Sequence, residues 1–166
     1  MIIIFYDHSD FIIWIQTFYI YFLIKEKVKF IPIESKEQLN NYLLNLSNEN
    51  SYVLIFHGEN EYFKISSNNE YVTEINLNKT FTGYIILCSC SAGYTFNSLA
   101  KKTQINNKNV KVISSKYDVY PFIDVHYDPE LHILHFGKKT RYGYNDTDDN
   151  IDRTFEYKIY KNKLYQ

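Results

Sequence analysis

The sequence predicts an α/β protein: a three-layer sandwich with a mostly parallel central sheet, helices on both faces, a small β-hairpin and extra strands toward the carboxyl end. Two observations predict it. Short β-branched and aromatic runs recur at Ile2 to Tyr6, Val28 to Ile33, Tyr52 to Phe56, Tyr84 to Leu87 and Val110 to Ser114, and segments with helical spacing lie between most of them. Strands that alternate with helices pair in parallel, because a parallel neighbour is reached only through a crossover connection. At 166 residues the chain has the size of one domain, able to bury about two-thirds of the surface that its unfolded form exposes. We read residues 1–166 as that single domain, with its core in 1–120 and a β-rich extension in 121–166.

Each element has its own signal. The run Ile2 to Tyr6 ends at Asp7, and Ser9 or Asp10 can cap the helix that follows through about Lys25. That helix contains the apolar segment Phe11 to Ile24, too short for a span of roughly 20 residues and lacking the basic start and cleavage site of a signal peptide. We expect a buried helix. After Val28 to Ile33, the segment Ser35-Lys36-Glu37-Gln38 has the capping-box pattern, and Leu39, Tyr42, Leu43 and Leu46 repeat at helical spacing. The strand Tyr52 to Phe56 stops at His57-Gly58. Two alternating runs, Tyr62 to Ile65 and Tyr71 to Ile75, flank the polar turn Ser66-Ser67-Asn68-Asn69, which predicts a hairpin set apart from the main sheet. Leu77 to Phe81 suggests a helical turn, Thr95 to Lys102 a helix with Phe96, Leu99 and Ala100 inward, and Lys116 to Pro121 a loop. Beyond Pro121, strands are expected at Phe122 to His126, Leu131 to Phe136 and Thr154 to Tyr160, with an acidic loop from Asn145 to Asp152.

Charge and cysteine usage narrow the function classes. The net charge of −1, with lysines scattered along the chain, forms no basic block, so neither nucleic acid nor an anionic membrane is an expected partner. The two cysteines, in Cys88-Ser89-Cys90, are too close in one strand for an ordinary disulfide, which fits a reducing, cytoplasmic setting.

The chemistry gathers at two strand ends. One apolar run stops at His57-Gly58, and another stops at Cys88-Ser89-Cys90-Ser91-Ala92-Gly93. In parallel sheets ligands bind beyond the carboxyl ends of the strands. A thiolate beside a histidine suffices for acyl transfer, since the imidazole activates the thiol and protonates the leaving amine. Gly58 leaves room for a substrate carbonyl, and its N–H with that of Cys90 could hold an oxyanion.

This pattern, Val53-Leu54-Ile55-Phe56-His57-Gly58 followed after a hairpin by Ile85-Ile86-Leu87-Cys88-Ser89-Cys90-Ser91-Ala92-Gly93, resembles the caspase-like (clan CD) cysteine peptidases. These include caspases, gingipains, clostripain, legumain, separase and the bacterial CHAT proteins. The nucleophile followed by two residues and a glycine is most similar to the CHAT and separase pattern. The resemblance covers about Ile2 to Tyr120 and implies a caspase-like fold, a dyad of His57 and Cys90, and a packing role for Cys88. It also implies a protein or peptide substrate, a regulatory protein partner and an exposed sheet edge able to pair with a second copy. The pocket beside the dyad would draw on Lys116 and Asp118 after the fifth strand and on Asp7 after the first. An acidic Asp118 or Asp7 would favour a basic substrate residue, and Lys116 an acidic one.

Competing chemistries find less support. A cysteine phosphatase needs an arginine soon after its nucleophile, whereas the arginines are Arg141 and Arg153. His126, His132, His135 and the two cysteines make no recognisable zinc pattern, and no glycine-rich phosphate loop occurs. No metal or cofactor is expected. The sequence therefore predicts a cysteine endopeptidase. Its alternatives are an inactive caspase-like binding or regulatory module that uses the strands from Phe122 onward, and a flavodoxin-like signalling domain in which His57 and Cys90 are incidental.

Overall fold

A computed structural model describes residues 1–23, 28–89, 97–115, 125–128, 133–136 and 157–160. In chain order these form β1 (Ile2–Asp7), α1 (Phe11–Leu23), β2 (Val28–Ile33), α2 (Lys36–Leu43), β3 (Ser51–Ile55), β4 (Phe63–Ile65), β5 (Glu70–Val72), β6 (Tyr84–Cys88), α3 (Leu99–Asn106), β7 (Lys111–Ser115), β8 (Val125–Asp128), β9 (Ile133–Phe136) and β10 (Tyr157–Tyr160). The main sheet runs β10-β7-β6-β3-β1-β2. Its members β2, β1, β3, β6 and β7 are all parallel, and β10 joins antiparallel to β7. The fold is thus α/β, with a five-strand parallel sheet and, among the described residues, three helices. The antiparallel pair β4–β5 is the expected hairpin, and β8 pairs with β9 in a further antiparallel ribbon.

Alternation along the buried strands divides the core in two. Ile3, Phe5, Tyr52, Leu54, Ile85, Leu87 and Val112 face a large cluster with Leu39 and Leu43 of α2 and Leu99 and Ala100 of α3. Ile2, Ile4, Val53, Ile55, Ile86, Cys88 and Ile113 face the opposite side, where Ile13 of α1 packs. Strands buried on both faces explain the nearly unbroken apolar runs, since a parallel sheet has no solvated side that would demand polar alternation.

Local signals place the helix starts. Asp10, rather than Ser9, caps α1: its Oδ1 accepts from the N–H groups of Ile12 (3.0 Å) and Ile13 (3.1 Å). Ser35 Oγ accepts from Gln38 N–H at 3.1 Å, while the Gln38 side chain reaches back to the N–H of Glu34, one residue before the cap. Helix α3 begins at Leu99, later than the predicted Thr95, because Ser98 caps it through Lys101 N–H; residues 95 and 96, with the expected inward Phe96, lie outside the described residues. At Leu77 to Phe81 the structure has a turn closed by Phe81 N–H on the Asn78 carbonyl, not a helix.

Of two expectations about layers, one holds and one is corrected. The hairpin is a sheet of its own, set apart from the main sheet as expected, but Phe63, Ile65 and Val72 are buried in the main core, and Phe63 stacks on Phe56 with ring centroids 4.4 Å apart. Its alternating runs each offer an apolar side, and that side closes the sheet face between α2 and α3. Helix α1, in contrast, is not enclosed. Phe11 is 70% exposed and Phe18 53%, and Phe11, Trp14 and Phe18 stack along its outer side. Between this helix and β2, a groove of about 250 Å³ is lined by Tyr6, Trp14, Thr17, Phe18, Tyr21 and Phe30. Burial there pushes the Tyr6 phenol above its usual value of 10.0. No described helix is long and apolar enough to cross a membrane.

The core assignment predicts the cost of truncation. Leu39→Ala, at a fully buried α2 position against the sheet, should destabilise the protein by about 2–5 kcal/mol in urea unfolding. Removing the Ser35 cap by Ser35→Ala should cost about 1 kcal/mol.

Candidate functional site

Counted among the parallel strands, the sheet order is 2-1-3-4-5, so the chain reverses direction across the sheet between β1 and β3. The carboxyl ends beside such a reversal form a crevice, because the connections from the two strands leave on opposite faces. At these ends lie Asp7, the last residue of β1, with His8 to Asp10 beyond it, and Phe56 to Gly58 after β3. Hence the candidate site is built from two short loops on rigid strands.

His57 follows directly from the alternation of β3. Leu54 and Phe56 point into the α2/α3 side, Ile55 into the α1 side, so the next position falls toward α1. There the His57 Nε2 lies 3.3 Å from Asp10 Oδ2. The imidazole side chain is about half exposed at 46%, whereas Asp10 is 17% exposed. Asp10, read from the sequence only as a helix cap, therefore holds α1 with one oxygen and approaches His57 with the other. The signal that could have found it is its position three residues past Asp7, at the helix N-terminus beside the strand that precedes His57 in the sheet.

Asp7 is corrected as a pocket residue. It is fully buried. Its Oδ1 accepts from Ser9 N–H at 3.1 Å and Ser9 O–H at 2.6 Å, and its Oδ2 accepts from Ser66 N–H at 2.6 Å. Both oxygens are engaged, so the carboxylate is not presented to a substrate. It ties the start of the hairpin turn to the end of β1. The turn is also fastened to β2, where Ser67 Oγ and the Asn68 amide donate to the Glu34 carbonyl. Asn69 completes the turn at φ 52°, a left-handed conformation that Asn tolerates.

Gly58 has a structural reason of its own. It bridges Phe63 in an antiparallel contact, and a Cβ there would lie 2.4 Å from the Tyr62 carbonyl oxygen and 2.8 Å from the Phe63 Cα. The bonds of this bridge are made by its neighbours, with Lys64 N–H donating to the His57 carbonyl at 2.7 Å and Glu59 N–H to the Tyr62 carbonyl at 2.9 Å. This is the pairing in which the central residue's own N–H and C=O take no part in the ladder. In extended backbone, successive residues direct these groups to opposite sides, so Gly58 directs its N–H to the same side as Phe56. Phe56 N–H donates to the Cys88 carbonyl at 3.4 Å, which identifies that side as the β6 side.

At the end of β6, Cys88 is 3% exposed and packs with Ile13, Ile55 and Ile86. Cys90, Lys116 and Asp118 lie outside the described residues. Among the described residues no three His, Cys, Asp or Glu side chains gather as metal ligands. His126 and His135 are register partners in the β8–β9 ribbon, and His132 is outside the described residues. No family model, curated protein sequence or solved structure is similar enough to the chain to count as a match.

Two substitutions test this geometry. Gly58→Ala forces a methyl group against the backbone of Tyr62 and Phe63 and should cost about 1–3 kcal/mol in denaturant unfolding. Asp7→Ala leaves the Ser66 N–H without its acceptor and should cost about 1–3 kcal/mol, with faster amide exchange at Ser66 as its local sign.

Proposed function

We propose that the protein is a cysteine endopeptidase of caspase-like arrangement, in which Cys90 is the nucleophile and His57 its acid–base partner. The observation that carries this reading is the β3–β6 register. Ile55 pairs with Cys88, and in the sequence His57 and Cys90 each follow two residues after that pair. Support also comes from the alternation of both strands, because Cys88 lies on the same α1-facing side of the sheet to which His57 turns. The buried Cys88 is the packing thiol of the pair.

In the proposed reaction, the Cys90 thiolate attacks the carbonyl carbon of a peptide bond and the carbonyl π pair moves to oxygen. The N–H of Gly58, directed to the β6 side, and that of Cys90 hold the resulting oxyanion. His57 gives its proton to the amine as the C–N bond breaks, leaving a thioester on Cys90. Water then attacks the thioester, His57 takes its proton, and the carboxylic acid product leaves with the Cys90 thiolate and the protonated His57 restored. Lys116 and Asp118 are the candidates to select the residue before the cleaved bond. A protein or peptide is the substrate, and a regulatory protein partner is part of the reading.

A second reading is a flavodoxin-like signalling domain. It is favoured by the 2-1-3-4-5 order of the parallel strands, which such domains share.

Alkylation by iodoacetamide at pH 7 separates the two. The peptidase reading expects Cys90 to react about tenfold faster than a free thiol, of which only a few per cent is ionised at that pH. It expects His57→Ala to remove that advantage and Cys88→Ala to leave it. Cleavage of a mixed peptide library should vanish in Cys90→Ala. A Cys90 thiol of ordinary reactivity that is indifferent to His57→Ala would overturn the peptidase.

A further inference from the structure

We infer that Asp10 is the positioning residue of the site, holding His57 with Nε2 protonated so that Nδ1 remains the ring nitrogen available to a thiol. The role in catalysis rests on the peptidase reading, but the Asp10–His57 pair stands on its own geometry. Asp10 Oδ2 is 3.3 Å from His57 Nε2. An ionised carboxylate offers acceptors alone, so a ring nitrogen this close to it is the one favoured to carry the proton.

The carboxylate is held from both directions. Its Oδ1 accepts from the first-turn amides of α1 at Ile12 and Ile13, which removes the rotation that would let Oδ2 swing away. The amino end of a helix also favours negative charge, and α1 spans 13 residues with no acidic residue in its first turn. The side chain of Asp10 is largely sheltered while that of His57 is about half exposed. The carboxylate is thus the more sheltered of the pair and the imidazole the more open to solvent. An imidazole fixed in one tautomer by a carboxylate is ready to take or give a proton at its other nitrogen without first rotating. Sequence spacing hides this arrangement, because the two residues come from different strand ends and meet only across the β1–β3 crevice.

Asp10→Asn tests the inference without removing the helix cap, since Asn caps as well as Asp. With the Asn oxygen retained on the α1 amides, its NH2 group faces Nε2 as a donor and reverses the tautomer. In long-range 1H–15N spectra taken at pH 9, above the ordinary imidazole range near 6.5, wild-type His57 should show a protonated Nε2. Asp10→Asn should show a protonated Nδ1. Cys90 alkylation in Asp10→Asn should fall to the His57→Ala level, and the double variant should be no slower than His57→Ala, within about twofold. Asp10→Ser, which keeps a cap but is too short to reach the ring, should lose the same alkylation advantage while α1 retains its circular dichroism. A purely structural Asp10 predicts the opposite: Nε2 protonated in both proteins and effects that add in the double variant. Either result overturns the inference. If Cys90 is unreactive in the wild type, the peptidase reading fails, and the tautomer spectra alone still decide the role of Asp10.

Discussion

Parallel pairing of β3 with β1 on one side and β6 on the other is the constraint on which the rest of the structure depends. It sends every carboxyl end of the five strands to one edge of the sheet, so any chemistry carried on those ends collects there regardless of distance along the chain. It also requires that both faces be covered, because parallel strands return through crossover segments that lie on the sheet. The central strand β3 satisfies this most fully: Val53 through Phe56 are essentially without solvent contact. His57 is the first residue of that strand's run to emerge, and it emerges between two neighbours rather than at a free edge.

The two acidic residues after β1 divide the work of organising this edge. Asp7 turns inward and joins β1 to the hairpin through Ser66. Asp10 turns toward α1, caps it, and reaches His57. A buried carboxylate is tolerated only when its lone pairs are filled, and Asp7 meets that condition with three donors. Its hydrogen bonds fix the hairpin, the hairpin fixes the Tyr62–Phe63 backbone, and that backbone in turn requires a glycine at 58. The absent side chain at Gly58 therefore serves the fold first. That its N–H is directed toward β6 is a by-product of the same bridge, and it is this by-product that the proposed oxyanion site would use.

The two faces of the sheet are unequally covered. On one side α2, α3 and the hairpin enclose a large aromatic and aliphatic cluster; on the other, among the described residues, α1 packs through Ile13 and leaves Phe11, Trp14 and Phe18 outward. Apart from Gln16 and Thr17 the sequence of α1 is apolar, so it does not indicate which side is buried. The expectation of a buried helix came from a segment that is apolar yet too short to span a membrane. Exposure of a helix face depends on how many neighbours pack around it, a property of the assembled layers and not of the helix.

By itself the sequence determined the five parallel strands, the capped start of α2 at Ser35, the hairpin turn at Ser66 to Asn69, and the arrival of His57 at a strand end. Each is set by residues within a few positions of one another, through alternation, caps or turn chemistry. Tertiary structure alone decided that Asp7 is internal, that the hairpin belongs to the core, and that Asp10 lies against His57. Those outcomes rest on contacts between distant parts of the chain, such as Asp7 with Ser66, 59 residues apart. A carboxylate after a strand looks the same in sequence whether it meets solvent, a backbone amide or an imidazole. Which of these it meets is fixed only when the sheet order brings the strand ends together.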